Sequence, residues 1–374
     1  MTRLRLIAIC AAASLAGCVA SDRAPRVGAS GSGEPLRSGE TLLAGETLRA
    51  GETLLAGETL LAGETMGSAW TVKVNGTLPL PAEELRAGIQ ARFEAVNQAL
   101  STWRAESALS RFNEDDSGEW REVDPELVSV MSYALKLAEA SDGAYDITVG
   151  PLVNLWGFGP DPATHRAPDA QAISRALSRV GWRKVEMDEA RHRARKQPGV
   201  RVDLSSLGKG RGVDRVAEYL DAAGVSNYLI DLSGKLRARG HNSAGRAWRV
   251  AVERPIADAG TDRTAVEPVV VTLHDSSVAT AGDYRRFFES DGRHYSHIID
   301  PRTGEPVRHR TVSATSLDHD CMDADAWATV FMVMEPEKAL ALAAARNLEV
   351  LLIERGPRGY RLRPSAAWRA KPPH

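Results

Sequence analysis

Between residues 203 and 214 the chain reads Asp-Leu-Ser-Ser-Leu-Gly-Lys-Gly-Arg-Gly-Val-Asp, the stretch that most narrows what can be built around it. Glycines stand at 208, 210 and 212, with Lys209 and Arg211 between them. Without a Cβ, the backbone can bring its N–H groups close to a bound anion, and the two cations add neutralising charge. A Walker A loop is excluded, because Gly210 follows Lys209 where Ser or Thr is required. The periodicity predicts a helix over 212–223. The segment 203–211 is then expected as a loop at a helix N-terminus, where the dipole also favours an anion. Two readings fit that loop: a seat for a nucleotide-type phosphate, or an ordinary strand-to-helix turn.

The first residues address the chain to the cell envelope. Arg3 and Arg5 form a basic head, and the apolar run Leu6–Ala16 is too short to span a bilayer. It ends in Leu15-Ala16-Gly17-Cys18, which resembles a bacterial lipoprotein signal with Cys18 as the lipidated first residue after a leader of 1–17. An ordinary secretory signal cleaved nearby is the other reading. Of the three cysteines, Cys10 leaves with the leader and Cys18 carries lipid, so Cys321 is left without an intrachain partner. The exported part must therefore be held by its own core. The expected location is the bacterial envelope facing the periplasm, with the inner membrane as the expected anchor. A formal charge of −2 and a pI near 6.5 argue against a nucleic-acid binder.

From Gly39 onward Gly-Glu-Thr recurs every six residues. Five copies make too few turns of a β-helix to bury a core, so 18–64 is expected to be a flexible spacer. The folded domain is then 65–374. Helices are predicted over 82–100, 125–141, 169–180, 323–334 and 336–346, the second opened by Asp124 as cap and Pro125 in the first turn. Strands are predicted over 70–74, 227–232, 248–253, 269–273, 295–299, 311–316 and 348–353. The mixed order of elements, with strands adjacent in pairs, indicates α+β rather than a doubly wound sheet.

Further segments carry chemistry. Asp325 and Thr329 lie four apart on a predicted helix and so share a face; a carboxylate with a hydroxyl suits Mg²⁺, although Asp323 and Asp325 also fit as favourable first-turn charges. His297 and Ile298 alternate on a predicted strand and are expected to face opposite sides, before the turn of Asp300-Pro301 and Gly304. Thr280-Ala-Gly-Asp283 is a small-residue loop able to admit a ligand. Trp156 and Phe158 among glycines make either an aromatic-lined pocket for a flat ring or plain core, with Trp103 and Tyr145 as further candidate rings.

Taken in order, Thr65-Met-Gly-Ser68, Ser101-Thr-Trp103, Leu109-Ser-Arg-Phe-Asn113, Tyr145–Leu152, Asp203–Gly210, Ser296–Pro301 and Ala324–Thr329 resemble the ApbE family of FAD:protein FMN transferases. The resemblance covers about 65 to 355. It implies a single T-fold-like α+β domain with mixed or antiparallel sheets flanked by helices. It also implies Mg²⁺-dependent splitting of FAD, with FMN passed to a threonine hydroxyl of an acceptor flavoprotein and AMP released. The implied acceptors are flavin-carrying subunits of exported redox complexes. Carried over by motif, Met66, Trp103, Ala144, Tyr145 and Asp146 line the FAD site, Asp203 and Lys209 contact the nucleotide, and His297 and Ile298 lie near its phosphates. Ser206, Asp325 and Thr329 approach the metal, and Asp325 or His297 accepts the threonine proton. Four departures stand out: Trp103 where the family has Tyr, Ser233-Gly234-Lys235 where it has Gly-Gly-acid, Ser68 for Thr and Arg211 for Tyr. An FAD pyrophosphatase and a non-catalytic flavin-binding protein are the alternatives on the same fold.

Overall fold

Eight strands form one antiparallel sheet whose order in space is their order along the chain. In this computed structural model the described residues are 42–43, 57–159, 166–252, 269–283, 287–290, 292–357 and 359–369. The leader, Cys18 and most of the expected spacer lie outside them.

The sheet is built from β1 (Glu58–Thr65), β2 (Ser68–Asn75), β3 (Tyr228–Leu232), β4 (Lys235–Arg239), β5 (Ser277–Gly282), β6 (Thr311–Asp318), β7 (Glu349–Gly356) and β8 (Gly359–Pro364). Between β2 and β3 come α1 (Ala82–Leu100), α2 (Pro125–Ala140) and α3 (Ser205–Ala222). Between β6 and β7 come α4 (Cys321–Val333) and α5 (Pro336–Ala345). Two halves result, each a strand pair, a set of helices and a second strand pair, joined edge to edge at β4 and β5. The α+β expectation holds.

β1 corrects the expected boundary at residue 65. The fourth and fifth Gly-Glu-Thr copies are not spacer but edge strand, in register with β2 from Glu58 opposite Asn75 to Thr65 opposite Ser68. Its alternating Leu61 and Thr65 reach the core, and Gly63 faces Trp70, whose indole would stand 2.6 Å from a Cβ there. A glycine that reads as linker chemistry thus makes room for a buried ring across the strand pair. β4 and β5, also absent from the predicted strands, are short and carry charges or small residues, so the apolar alternation that marks a strand is weak in them.

β3 is buried along its whole length because both sheet faces are covered. Tyr228, Ile230 and Leu232 join Leu85, Ile89 and Phe93 of α1 and Val213, Val216 and Leu220 of α3 in one core. Leu229 points the other way, into a second cluster with Trp248, Val250 and Leu273 of the hairpin formed by Trp248–Ala251 and Val270–Leu273. The period-2 alternation of a strand explains this division. α2 begins as its sequence predicts, with Asp124 accepting from the amides of Glu126 and Leu127. Among the described residues no helix is long and apolar enough to cross a membrane.

The largest correction falls on the glycine-rich segment. α3 starts at Ser205, so 208–211 is helix and not a loop. Gly210 and Gly212 are packing glycines: a Cβ at 210 would lie 2.6 Å from the Cys321 carbonyl oxygen, and one at 212 would lie 2.9 Å from the Phe93 ring. The close approach of α3 to α4 and α1 outweighs the poor intrinsic helix propensity of glycine, about 1 kcal/mol each. Trp156 is also core, and the half-buried Phe158 packs against the same cluster. The Trp156 indole N–H donates to the Gly304 carbonyl at 2.8 Å, and Phe158 lies 5.6 Å from Phe288 centroid to centroid, so the ring-pocket reading of that segment falls.

Candidate active site

A cavity of about 820 Å³ opens where the two halves meet, lined by the N-terminal end of α3, the inner face of α4, the β1–β2 and β3–β4 turns and the end of β5. All twelve binding, metal and catalytic residues expected from the sequence line it.

Two hairpin turns supply its rim. Met66-Gly67 and Ser233-Gly234 each have both central residues at positive φ, the type I′ pattern that matches strand twist. Met66 at φ 49° is an unfavourable choice for a turn of that kind; its side chain packs against both core clusters beside the sheet and also lines the cavity. Trp103, on the segment after α1, is 66% exposed at the mouth, with Arg104 beside it.

Ala144, Tyr145 and Asp146 form another wall, and here positioning and binding must be separated. Asp146 is buried. One of its oxygens accepts from the Thr148 amide at 2.8 Å and from the Thr148 hydroxyl at 2.6 Å, and the other accepts from the Trp182 amide at 2.8 Å. Burial pushes its carboxyl above the ordinary range, and those donors act against it. Asp146 therefore fixes the wall. The Tyr145 hydroxyl lies 3.0 Å from Ser206 Oγ, and burial pushes the phenol well up, keeping it neutral.

From α3, Ser205, Ser206, Gly208 and Lys209 face the cavity. Nothing lies within 4 Å of a Cβ built at Gly208, which leaves the helix surface open there. The helix end still points at the cavity as anion chemistry asks, although Lys209 stands a full turn inside the helix. Lys209 Nζ donates to Ser68 Oγ at 3.0 Å. The Asp203 carboxylate accepts from the amide and hydroxyl of Ser205, so it caps the helix start while lining the cavity.

α4 brings Asp325 and Thr329 to the same place. Asp325 is 4% exposed; Oδ2 accepts from the Gly210 amide at 3.2 Å and Oδ1 is ion-paired to Lys235 Nζ at 2.8 Å. The Thr329 hydroxyl donates to the Asp325 carbonyl at 3.1 Å, which leaves its lone pairs available. A carboxylate and the hydroxyls of Ser206 and Thr329 are hard oxygen donors fit for Mg²⁺. Among the described residues no three His, Cys, Asp or Glu side chains gather as a metal site, so such an ion would share phosphate and water oxygens.

His297 and Ile298 follow the strand Arg293–Ser296 and are not in it. The Ile298 amide donates to Ser296 Oγ, which bends the chain, and both residues line the cavity instead of facing opposite sides. Thr280, Ala281 and Gly282 also line it, at the end of a strand and not in the loop expected. Lys235 and Arg104 were not expected as site residues. Lys235 was visible in the sequence only as the unusual residue after the Ser233-Gly234 turn.

A cavity of this size at the seam of a two-part antiparallel sheet, with oxygen donors beside a helix N-terminus, is the kind of site that takes a phosphate-bearing ligand. The family model described as "ApbE family" matches residues 66–352, and the chain belongs to that family. It is 40% identical over 300 residues to the FAD:protein FMN transferase of Klebsiella pneumoniae, covering 79% of this chain and 84% of that one. It is 37% identical over 291 residues to that of Escherichia coli K12, covering 77% and 82%. The structure of the flavin transferase ApbE from Vibrio cholerae superimposes with a TM-score of 0.77 at 37% identity, over 83% of this chain and 98% of that one. The apo flavinyl transferase ApbE of Pseudomonas stutzeri gives 0.75 at 35%, over 83% and 96%.

Proposed function

We propose that this chain moves FMN from FAD to a threonine hydroxyl of an acceptor protein, requires Mg²⁺ and releases AMP. Its membership of the enzymes described above makes it a transferase acting on FAD. The finer reading rests on one observation: Asp325, Thr329, Ser206 and Lys209 meet in a cavity that also holds Met66, Tyr145 and Trp103.

The residues divide the work. Lys209 and the helix end neutralise the pyrophosphate, and the rings and Met66 offer apolar surface to a flat flavin. When bound, Mg²⁺ supplies Lewis-acid stabilisation of charge on the phosphates, held by Asp325 with the hydroxyls of Ser206 and Thr329. The threonine oxygen forms a bond to the FMN phosphorus, the phosphorus–oxygen bond to AMP breaks, and AMP leaves with the bridging oxygen. The threonine proton needs an acceptor. Asp325 and His297, both on the cavity lining, are the two candidate acceptors. The leader reading places the reaction outside the cytoplasm, anchored at Cys18 and serving exported flavoprotein subunits.

The test is incubation of the protein with FAD and Mg²⁺, with and without a threonine-bearing acceptor. AMP together with an acceptor heavier by FMN supports transfer. AMP and free FMN without an adduct would mean hydrolysis, and no AMP at all would mean binding alone.

A further inference from the structure

Lys235 is a cation already seated where a second one is needed. It enters the site from the first residue of β4, straight after the Ser233-Gly234 turn, so its position is fixed by a two-residue hairpin. Its side chain is 12% exposed. Nζ contacts Asp325 Oδ1 at 2.8 Å and donates to the Thr280 carbonyl at 2.6 Å, so the sheet seam holds the ammonium from β5 as well. The opposite carboxylate oxygen is held by the Gly210 amide. Asp325 lines the same cavity as the oxygen donors Ser206 and Thr329, and one of its two carboxylate oxygens is covered by a positive charge.

We propose that Lys235 is a resident counter-cation that a divalent ion must displace from Asp325, and that it thereby sets the metal affinity of the site. This rests on the metal role of Asp325 proposed above. A buried carboxylate without a counter-charge is costly, so the ion pair stabilises the metal-free protein. The same contact opposes metal entry, because the ammonium holds one lone pair of Oδ1 and its charge repels a dication approaching that oxygen, so seating Mg²⁺ there drives the head away. The flexible four-carbon stem of Lys235 allows the head to withdraw into the cavity, which it also lines. There the freed charge faces the phosphates of a bound dinucleotide.

The experiment is a Mn²⁺ titration of the FAD-free protein, followed by electron paramagnetic resonance or calorimetry. Wild type, Lys235→Gln, Lys235→Arg and Asp325→Asn are compared, with thermal unfolding recorded for each. The expected result is at least about tenfold tighter Mn²⁺ binding in Lys235→Gln, near-wild-type binding in Lys235→Arg and loss in Asp325→Asn. Lys235→Gln should also unfold at lower temperature without metal and regain more than wild type on adding Mn²⁺, by linkage. That second reading stands even if Lys235→Gln is fragile. Equal or weaker Mn²⁺ affinity in Lys235→Gln, with Asp325→Asn still losing it, overturns the displacement role and leaves the metal reading intact. Binding unaffected by Asp325→Asn, or absent in every form, overturns both.

Discussion

The Gly210 amide reaches Asp325 Oδ2 at 3.2 Å only because Gly210 has no side chain: a Cβ there would stand 2.6 Å from the Cys321 carbonyl oxygen and 2.8 Å from Met322 Cα. Both obstacles are backbone atoms at the start of α4, so neither can rotate aside. Gly210→Ala must push the two helices apart. Overpacking of this kind costs about 1–3 kcal/mol, and the shift moves Asp325 relative to α3. Thermal unfolding is expected to fall by several degrees, with FAD cleavage falling further than stability accounts for. A variant of wild-type stability and rate would show that the approach of the helices does not matter.

Asp325→Ala is expected to abolish AMP release from FAD while leaving measurable FAD binding, because the rings, Met66 and Lys209 remain. Flavin fluorescence reads the binding and chromatography of AMP reads the chemistry. The substitution also leaves Lys235 buried beside an apolar methyl, so some loss of stability accompanies it. Unchanged cleavage would remove Asp325 from the site chemistry.

The helices with long apolar periodicity were legible in the sequence, α1 to the residue and α2 through its Asp124-Pro125 start. The twelve cavity residues were legible as a set only through the order of motifs, since no spacing brings 66, 145, 209, 297 and 325 together. What escaped reading has physical causes. The segment 208–211 looked like a loop because its glycines weaken helix propensity, and only the closeness of Cys321 and Phe93 explains them. β1 hid inside a repeat, its register fixed by β2 and by Trp70 across the pair. The Lys235–Asp325 pair joins residues far apart in the chain, and a charge partner of that kind leaves no local pattern.

Trp103 is 66% exposed at the cavity mouth, and nothing in the core depends on its indole. Trp103→Ala should leave unfolding unchanged. If the ring stacks on a flat ligand, the loss is about 0.5–1.5 kcal/mol, which weakens FAD binding roughly 2- to 12-fold. Trp103→Tyr should restore most of it. Identical FAD affinity in all three forms would place the ring outside the binding surface.

Glu126, at the start of α2, ties that helix to α3 by accepting from Arg211 and Arg215. Burial alone would raise its carboxyl, but the bonds from Arg215 and Arg211 prevail and hold it below its ordinary value of 4.5. The unfolded chain therefore takes up this proton at higher pH than the folded one. The stabilisation is complete above about pH 4.5 and is lost as pH falls through the lower folded value. Glu126→Gln should cost about 1.5–3 kcal/mol at neutral pH, the range for hydrogen bonds to charged groups. The gap between variant and wild type should narrow on acidification below pH 4.5, read from urea midpoints at a series of pH values. A gap constant across that range would mean that the carboxylate charge contributes nothing, and that Glu126 acts only by filling space between α2 and α3.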